Sequence, residues 1–176
     1  MTDRRVIYQG RKINLEVHRV ELGTGQTVER EVVVHPVAAV ILPMVDGDRL
    51  CLVRNYRHVV GETLLELPAG TLGVGEDPAV AAARELEEET GYRAGRWRKL
   101  LEFYASPGIT TELMHLYLAE DLQPGTPHLE AGEELQAEIL AWEEIERLLA
   151  AGQIRDAKSL VGLLYWGRIR SEGRRI

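Results

Sequence analysis

Several residue types are scarce in this chain of 176 residues, which has one cysteine, one phenylalanine and three lysines. The single Cys51 excludes an intramolecular disulfide and a thiolate-held metal cluster. Lying in the apolar run Leu50–Cys51–Leu52–Val53, it reads as a buried strand residue. No run reaches the ~18 consecutive apolar residues of a membrane-crossing helix. Met1–Thr2–Asp3–Arg4–Arg5 lacks the apolar core of a secretory signal. A cytoplasmic location without a membrane partner is therefore the expectation. Scarce Asn and Lys beside abundant Arg fits heat adaptation or genomic base composition equally well.

What is present is an ordinary soluble composition, 45% apolar and 28% charged, at a length that favours one domain. Lys plus Arg total 21 against 28 Asp plus Glu, a net charge of -7. A diffuse acidic surface argues against nucleic acid, but not against a phosphorylated substrate bridged by cations. Strand-like pieces at 6–9, 12–20 and 28–34 are separated by glycine turns and read as a small antiparallel element. The apolar run Val37–Met44, the turn Asp46–Gly47–Asp48 and the strand 49–54 read as a central hairpin. Leu64–Leu67 is a short strand, followed by a glycine-rich loop through Glu76. Asp77 and Pro78 open a helix that runs to Thr90 and stops at Gly91. Strands are expected at 100–104, 113–119 and 135–141, with an acidic loop at 120–133. Residues 143–151 and a helix capped by Asp156 follow, and the basic tail 168–175 reads as solvated. Strands interspersed with three helices make a layered α/β domain.

The helix between Asp77 and Gly91 is the most informative segment. Helical periodicity puts Glu85, Glu88 and Glu89 on one side, with Arg84 one turn before Glu88 and Glu87 pointing elsewhere. Like charges so spaced cost a few tenths of a kcal/mol (~0.2–0.5) per pair, which a wetted surface tolerates, so a solvated acidic helix is one reading. The other is a divalent cation site, since Mg²⁺ prefers oxygen ligands and retains several waters. Gly70, Glu76, Arg84, Glu85, Leu86, Glu88, Glu89 and Gly91 stand at the fixed positions of the Nudix box, and the segment resembles that family. Tyr92 departs from the usual aliphatic last residue, which touches packing and leaves the carboxylates intact.

The resemblance implies an alpha/beta/alpha sandwich with a mixed central sheet over residues 37–176, preceded by strands in 1–36 that serve dimerisation and the substrate site. It implies hydrolysis of a nucleoside diphosphate linked to another group. Two further features resemble the ADP-ribose pyrophosphatase branch: Ser106–Pro107–Gly108 followed by Thr110 and Glu112, and Leu65–Glu66–Leu67–Pro68–Ala69–Gly70 preceded by Arg54–Asn55–Tyr56–Arg57. Enzymes acting on GDP-mannose share several of these, and a noncatalytic nucleotide-binding module is the alternative of another class. Carried over, Glu85, Glu88, Glu89 and the Ala69 carbonyl would hold Mg²⁺, or Mn²⁺, with Arg84 orienting the glutamates. Arg57 and Arg54 would meet the diphosphate, Glu66 would position substrate or water, and Pro107, Gly108 and Glu112 would border the substrate. The general base would be Glu133 or Glu134, with Glu130 or Glu112 as further candidates. A nucleoside diphosphate sugar and a second copy of the chain are the implied partners. Tyr8 and Tyr56 are the candidates for a base-stacking surface, Phe103 reads as core, and His35, His58, His115 and His128 read as structural or surface residues.

Overall fold

The computed structural model describes residues 3–129 and 134–173. In chain order its elements are β1 (Asp3–Gln9), β2 (Asn14–Glu21), β3 (Thr27–Val34), β4 (Ala38–Pro43), β5 (Arg49–Arg57), β6 (Glu62–Glu66), β7 (Ala69–Thr71), α1 (Pro78–Thr90), β8 (Arg93–Tyr104), β9 (Leu113–Gln123), β10 (Leu135–Ala141), α2 (Trp142–Ala150) and α3 (Ala157–Ser171). They make three sheets: an antiparallel β1-β2-β3, an antiparallel β10-β5-β6, and a mixed β7-β4-β9-β8 in which β4 and β9 run parallel. The mixed sheet and its flanking helices form the α/β/α sandwich.

Strand β4 is buried along its whole length, and alternation divides its side chains between two cores. Val40 and Leu42 pack with Leu52, Leu116, Leu118, Ile145 and Leu163. Ala39 and Ile41 pack with Ala82 and Leu86 of α1 and with Tyr117. Truncating one of these leucines to Ala costs ~2–5 kcal/mol. Pro43 is tolerated in this central strand because β7 pairs only Ala38–Val40, so its missing N–H breaks no ladder bond on that side. The β1–β3 sheet joins the remainder through its last strand: Val33 N donates to the Ile109 carbonyl (2.8 Å), and Thr111 N donates to the Val33 carbonyl (3.0 Å).

Several sequence expectations need correction. β4 and β5 are not a paired hairpin. Asp46 does accept from Asp48 N and Arg49 N in a tight turn, but beyond the Met44–Leu50 bridge the strands separate into different sheets. Both carry a continuous buried apolar run, Ala38–Pro43 in β4 and Leu50–Val53 in β5, and each pairs edge to edge with another strand, β4 with β9 and β5 with β10. The segment Ala69–Thr71, read as loop, is an edge strand on β4. β8 begins at Arg93, not Leu100. Its first half carries exposed arginines outward while Ala94 and Trp97 pack inward, and a bulge at Lys99/Leu101 turns Leu101 and Phe103 to the other core. β9 likewise runs on to Gln123. The basic tail is not simply solvated: α3 continues through Ser171, Ile169 is buried, and Arg170 pairs with Asp48 at 3.0 Å and stacks over Trp142.

Candidate functional site

Helix α1 begins where Asp77 accepts a hydrogen bond from Ala79 N (2.8 Å) and Pro78 supplies a preset first turn. It ends at Gly91, whose left-handed φ of 76° lets its N–H reach the Glu87 carbonyl. Between these stops, Ala81, Ala82 and Leu86 seat the helix on the sheet. The same buried face carries Glu85 and Glu89, 8% and 5% exposed. Two carboxylates so buried need compensation. Arg84 Nη1 donates to Glu85 (2.7 Å) and to Glu88 (2.8 Å), its Nε and Nη2 grip Glu76 (3.0 and 3.1 Å), and the Ala69 amide donates to Glu89 (3.2 Å). The Glu76 carboxylate first, with Glu85 and Glu88 behind it, holds the Arg84 guanidinium above its ordinary pKa against the pull of burial. Conversely Arg84, then the Gly73 amide, hold Glu76 below the usual carboxylate range.

These residues line one wall of a cavity of about 880 Å³, near the upper end of the ~300–1,000 Å³ usual for small-molecule sites. The same cavity is lined by Arg57, Glu66, Asp156, Lys158, Glu112, His35 and Lys12, and by the backbone from Ala69 to Gly73. Glu66 is 1% exposed and takes Arg57 through both oxygens (2.7 and 2.5 Å), while Lys158 Nζ donates to it at 2.5 Å and to Asp156 at 3.0 Å. Glu66 holds the guanidinium of Arg57 above its ordinary pKa, although burial opposes this. Burial pushes the Asp156 carboxyl up, but the Lys158 charge and hydrogen bonds from Ser159 outweigh it and leave the pKa lowered.

Of the residues singled out in the sequence, Glu85, Glu88, Glu89, Arg84, Arg57, Glu66, Ala69 and Glu112 meet in this cavity. Glu112 lies 3.6 Å from His35 Nδ1. Arg54 does not reach the cavity and pairs with Glu138 at 2.6 Å. Pro107 and Gly108 stand in a turn closed by Ile109 and Thr110 amides on the Ser106 carbonyl, outside the lining. Glu134 is exposed outside the cavity, its carbonyl accepting from Tyr56 N. Glu130 and Glu133 lie outside the described residues. Neither Tyr8 nor Tyr56 lines the cavity. Sequence reasoning missed Lys158, Lys12 and His35. The one usable signal was a rare lysine two positions after the cap of α3, in a first half otherwise without charge.

As donors for a hard cation, the helix carboxylates have the right chemistry. A β-carbon built on Gly70 would fall well inside van der Waals contact of the Glu85 carboxyl group, so a glycine here is what admits that carboxylate beside β7. Among the described residues, no group of three or more His, Cys, Asp or Glu side chains is gathered closely enough to hold a metal ion. Arg84 and the Ala69 amide take up carboxylate oxygens in this arrangement. Among the described residues no helix is long and apolar enough to cross a membrane.

The model of the NUDIX domain matches residues 34–161. An ADP-ribose pyrophosphatase of Bacillus subtilis (strain 168) is 37% identical over 161 residues, covering 90% of this chain and 87% of that protein. A methanol dehydrogenase activator of Bacillus methanolicus is also 37% identical over 161 residues, with the same coverage. A solved structure described as an ADP compounds hydrolase aligns with a TM-score of 0.85 over 99% of this chain and 96% of that one, at 24% identity, a likeness of fold. With most of its length matched by that domain and two relatives 37% identical across nine-tenths of it, the chain belongs to the Nudix family.

Proposed function

We propose that this protein is a divalent-cation-dependent Nudix hydrolase that cleaves the diphosphate of ADP-ribose to AMP and ribose 5-phosphate. The observation that carries this reading is one cavity lined both by the helix carboxylates Glu85, Glu88 and Glu89 and by the cations Arg57 and Lys158. A diphosphate escorted by a cation needs both kinds of wall. The similarity to the Bacillus subtilis ADP-ribose pyrophosphatase supports the choice of sugar.

Glu85, Glu88 and Glu89, with the Ala69 carbonyl, are the groups that would hold Mg²⁺ or Mn²⁺, which when bound screens phosphate charge and acidifies water. Arg84, donating to Glu85 and Glu88, keeps these carboxylates oriented before any ligand arrives. Arg57 takes phosphate oxygens through the N–H groups that Glu66 leaves open. A glutamate beyond the helix accepts the proton of the attacking water, and must lie within direct or one-water reach. Glu112, which lines the cavity, is the candidate favoured here, and Glu133 and Glu134 are the alternatives. A homodimer through the β1–β3 sheet completes the reading. Its support is edge strand β1, exposed throughout, with Val6, Ile7 and Tyr8 uncovered.

The test is product analysis with ADP-ribose and Mg²⁺, beside GDP-mannose. Metal-dependent release of AMP and ribose 5-phosphate is the expected result. Preference for GDP-mannose would keep the chemistry and replace the substrate, and no turnover of either by folded protein would overturn the enzyme reading in favour of a binding module.

A further inference from the structure

We infer that Lys158 is a positioning residue for Arg57, acting through Glu66 to aim the guanidinium that receives the diphosphate. The inference rests on the reading of Arg57 above. Lys158 is 6% exposed, yet it reaches the cavity wall, and its ammonium is shared between Glu66 and Asp156. Asp156 is itself fixed as the cap of α3, accepting from Ser159 N (3.0 Å) and Ser159 Oγ (2.6 Å). A rigid path therefore runs from the start of α3, through Lys158 and Glu66, to Arg57 at the end of β5.

A plain staple between α3 and β6 would not need this lysine. That join is already made by Leu67 N donating to Ser159 Oγ at 2.7 Å, and by Gly162, where an added β-carbon would stand 2.5 Å from Leu67 Cδ1. What Lys158 adds lies on the cavity side. Arg57 spends Nε and Nη2 on the two Glu66 oxygens, a fork that sets the plane of the guanidinium. Among the described residues the Arg57 guanidinium hydrogen-bonds Glu66 alone, through Nε and Nη2, so its Nη1 edge is left for a ligand. The Glu66 carboxylate could otherwise turn about its terminal torsion, which is broad for glutamate. The second cation on the same oxygen stops that rotation and balances the buried charge.

The test measures binding of inorganic pyrophosphate by calorimetry in Mg²⁺ buffer, which does not depend on the identity of the substrate. Arg57→Ala is expected to weaken binding about tenfold, the scale of one charge-assisted hydrogen bond. Lys158→Met is expected to match it, and the double variant to bind no more weakly than Arg57→Ala alone. Lys158→Arg, which keeps the charge, should stay within ~threefold of wild type, about half of the 1.4 kcal/mol decade. In turnover, Lys158→Met should raise KM with kcat unchanged. If Lys158→Met does not fold, Glu66→Gln carries the same expectation. Additive losses in the double variant, wild-type affinity in Lys158→Met or Glu66→Gln, or a wild-type protein that does not bind pyrophosphate would overturn the inference. Pyrophosphate binding that follows this pattern without hydrolysis of ADP-ribose would instead overturn the substrate reading alone.

Discussion

Substituting Gly70 by Ala adds one methyl group to a half-buried edge strand, in direct conflict with the Glu85 carboxylate. Gly70 is not among the glycines with positive φ, so the effect is steric and not conformational. To restore an ordinary carbon contact of ~3.5 Å, the carboxyl group must retreat by about 1.6 Å. Overpacking of this kind costs ~1–3 kcal/mol. Stiffening the unfolded chain returns ~0.4–1 kcal/mol. The net loss of ~1–2 kcal/mol lowers Tm by about 2–8 °C in a chain of this size. Activity falls further, because even a displacement of ~1 Å in a catalytic constellation costs on the order of 100-fold. Thermal unfolding and AMP release are the two assays. Gly47→Ala is the control, since a β-carbon there meets nothing within 4 Å, and it should leave both values unchanged. A Gly70→Ala variant with wild-type Tm and turnover would refute the claim that this glycine exists to admit Glu85.

Arg84→Lys removes the fork that serves Glu76, Glu85 and Glu88 together, and turnover should drop at least ~tenfold although the charge is kept. Wild-type activity in that variant would show that charge alone suffices. Because the folded pKa of Asp156 is lowered, its contribution to stability is fully present above the unfolded value of ~3.9 and is lost as pH falls through the folded value. Urea unfolding at several pH values should therefore find Asp156→Asn less stable at neutral pH, with the gap closing in acid, and a constant gap would contradict the assignment. Burial pushes the Cys51 thiol up to about 12, so a thiol reagent at pH 8 should label it only after unfolding. Rapid labelling of native protein would mean that the strand opens.

The parts of the fold legible in the sequence were those specified by local chemistry. Asp77, Pro78 and Gly91 bound α1 because capping and left-handed φ are decided within a few residues. The carboxylate face of α1 follows from periodicity alone. Partner choice was not local. Nothing within 37–54 says that β4 pairs with a strand some seventy residues later while β5 joins another sheet. Charged positions on the edge strand β8 masked its first half, since exposed arginines look alike in strand and loop. Lys158 was hidden for the same reason, because its role depends on Glu66, far away in the chain and adjacent only once α3 docks on Leu67.

The most direct measurement of the central claim is the rate of AMP release from ADP-ribose as Mg²⁺ is raised from zero, in wild type, Glu85→Gln and Glu89→Gln. The rate should saturate with Mg²⁺ in wild type and be lost in both variants, which remain folded by circular dichroism. Turnover independent of Mg²⁺, or full activity in either variant, would contradict it.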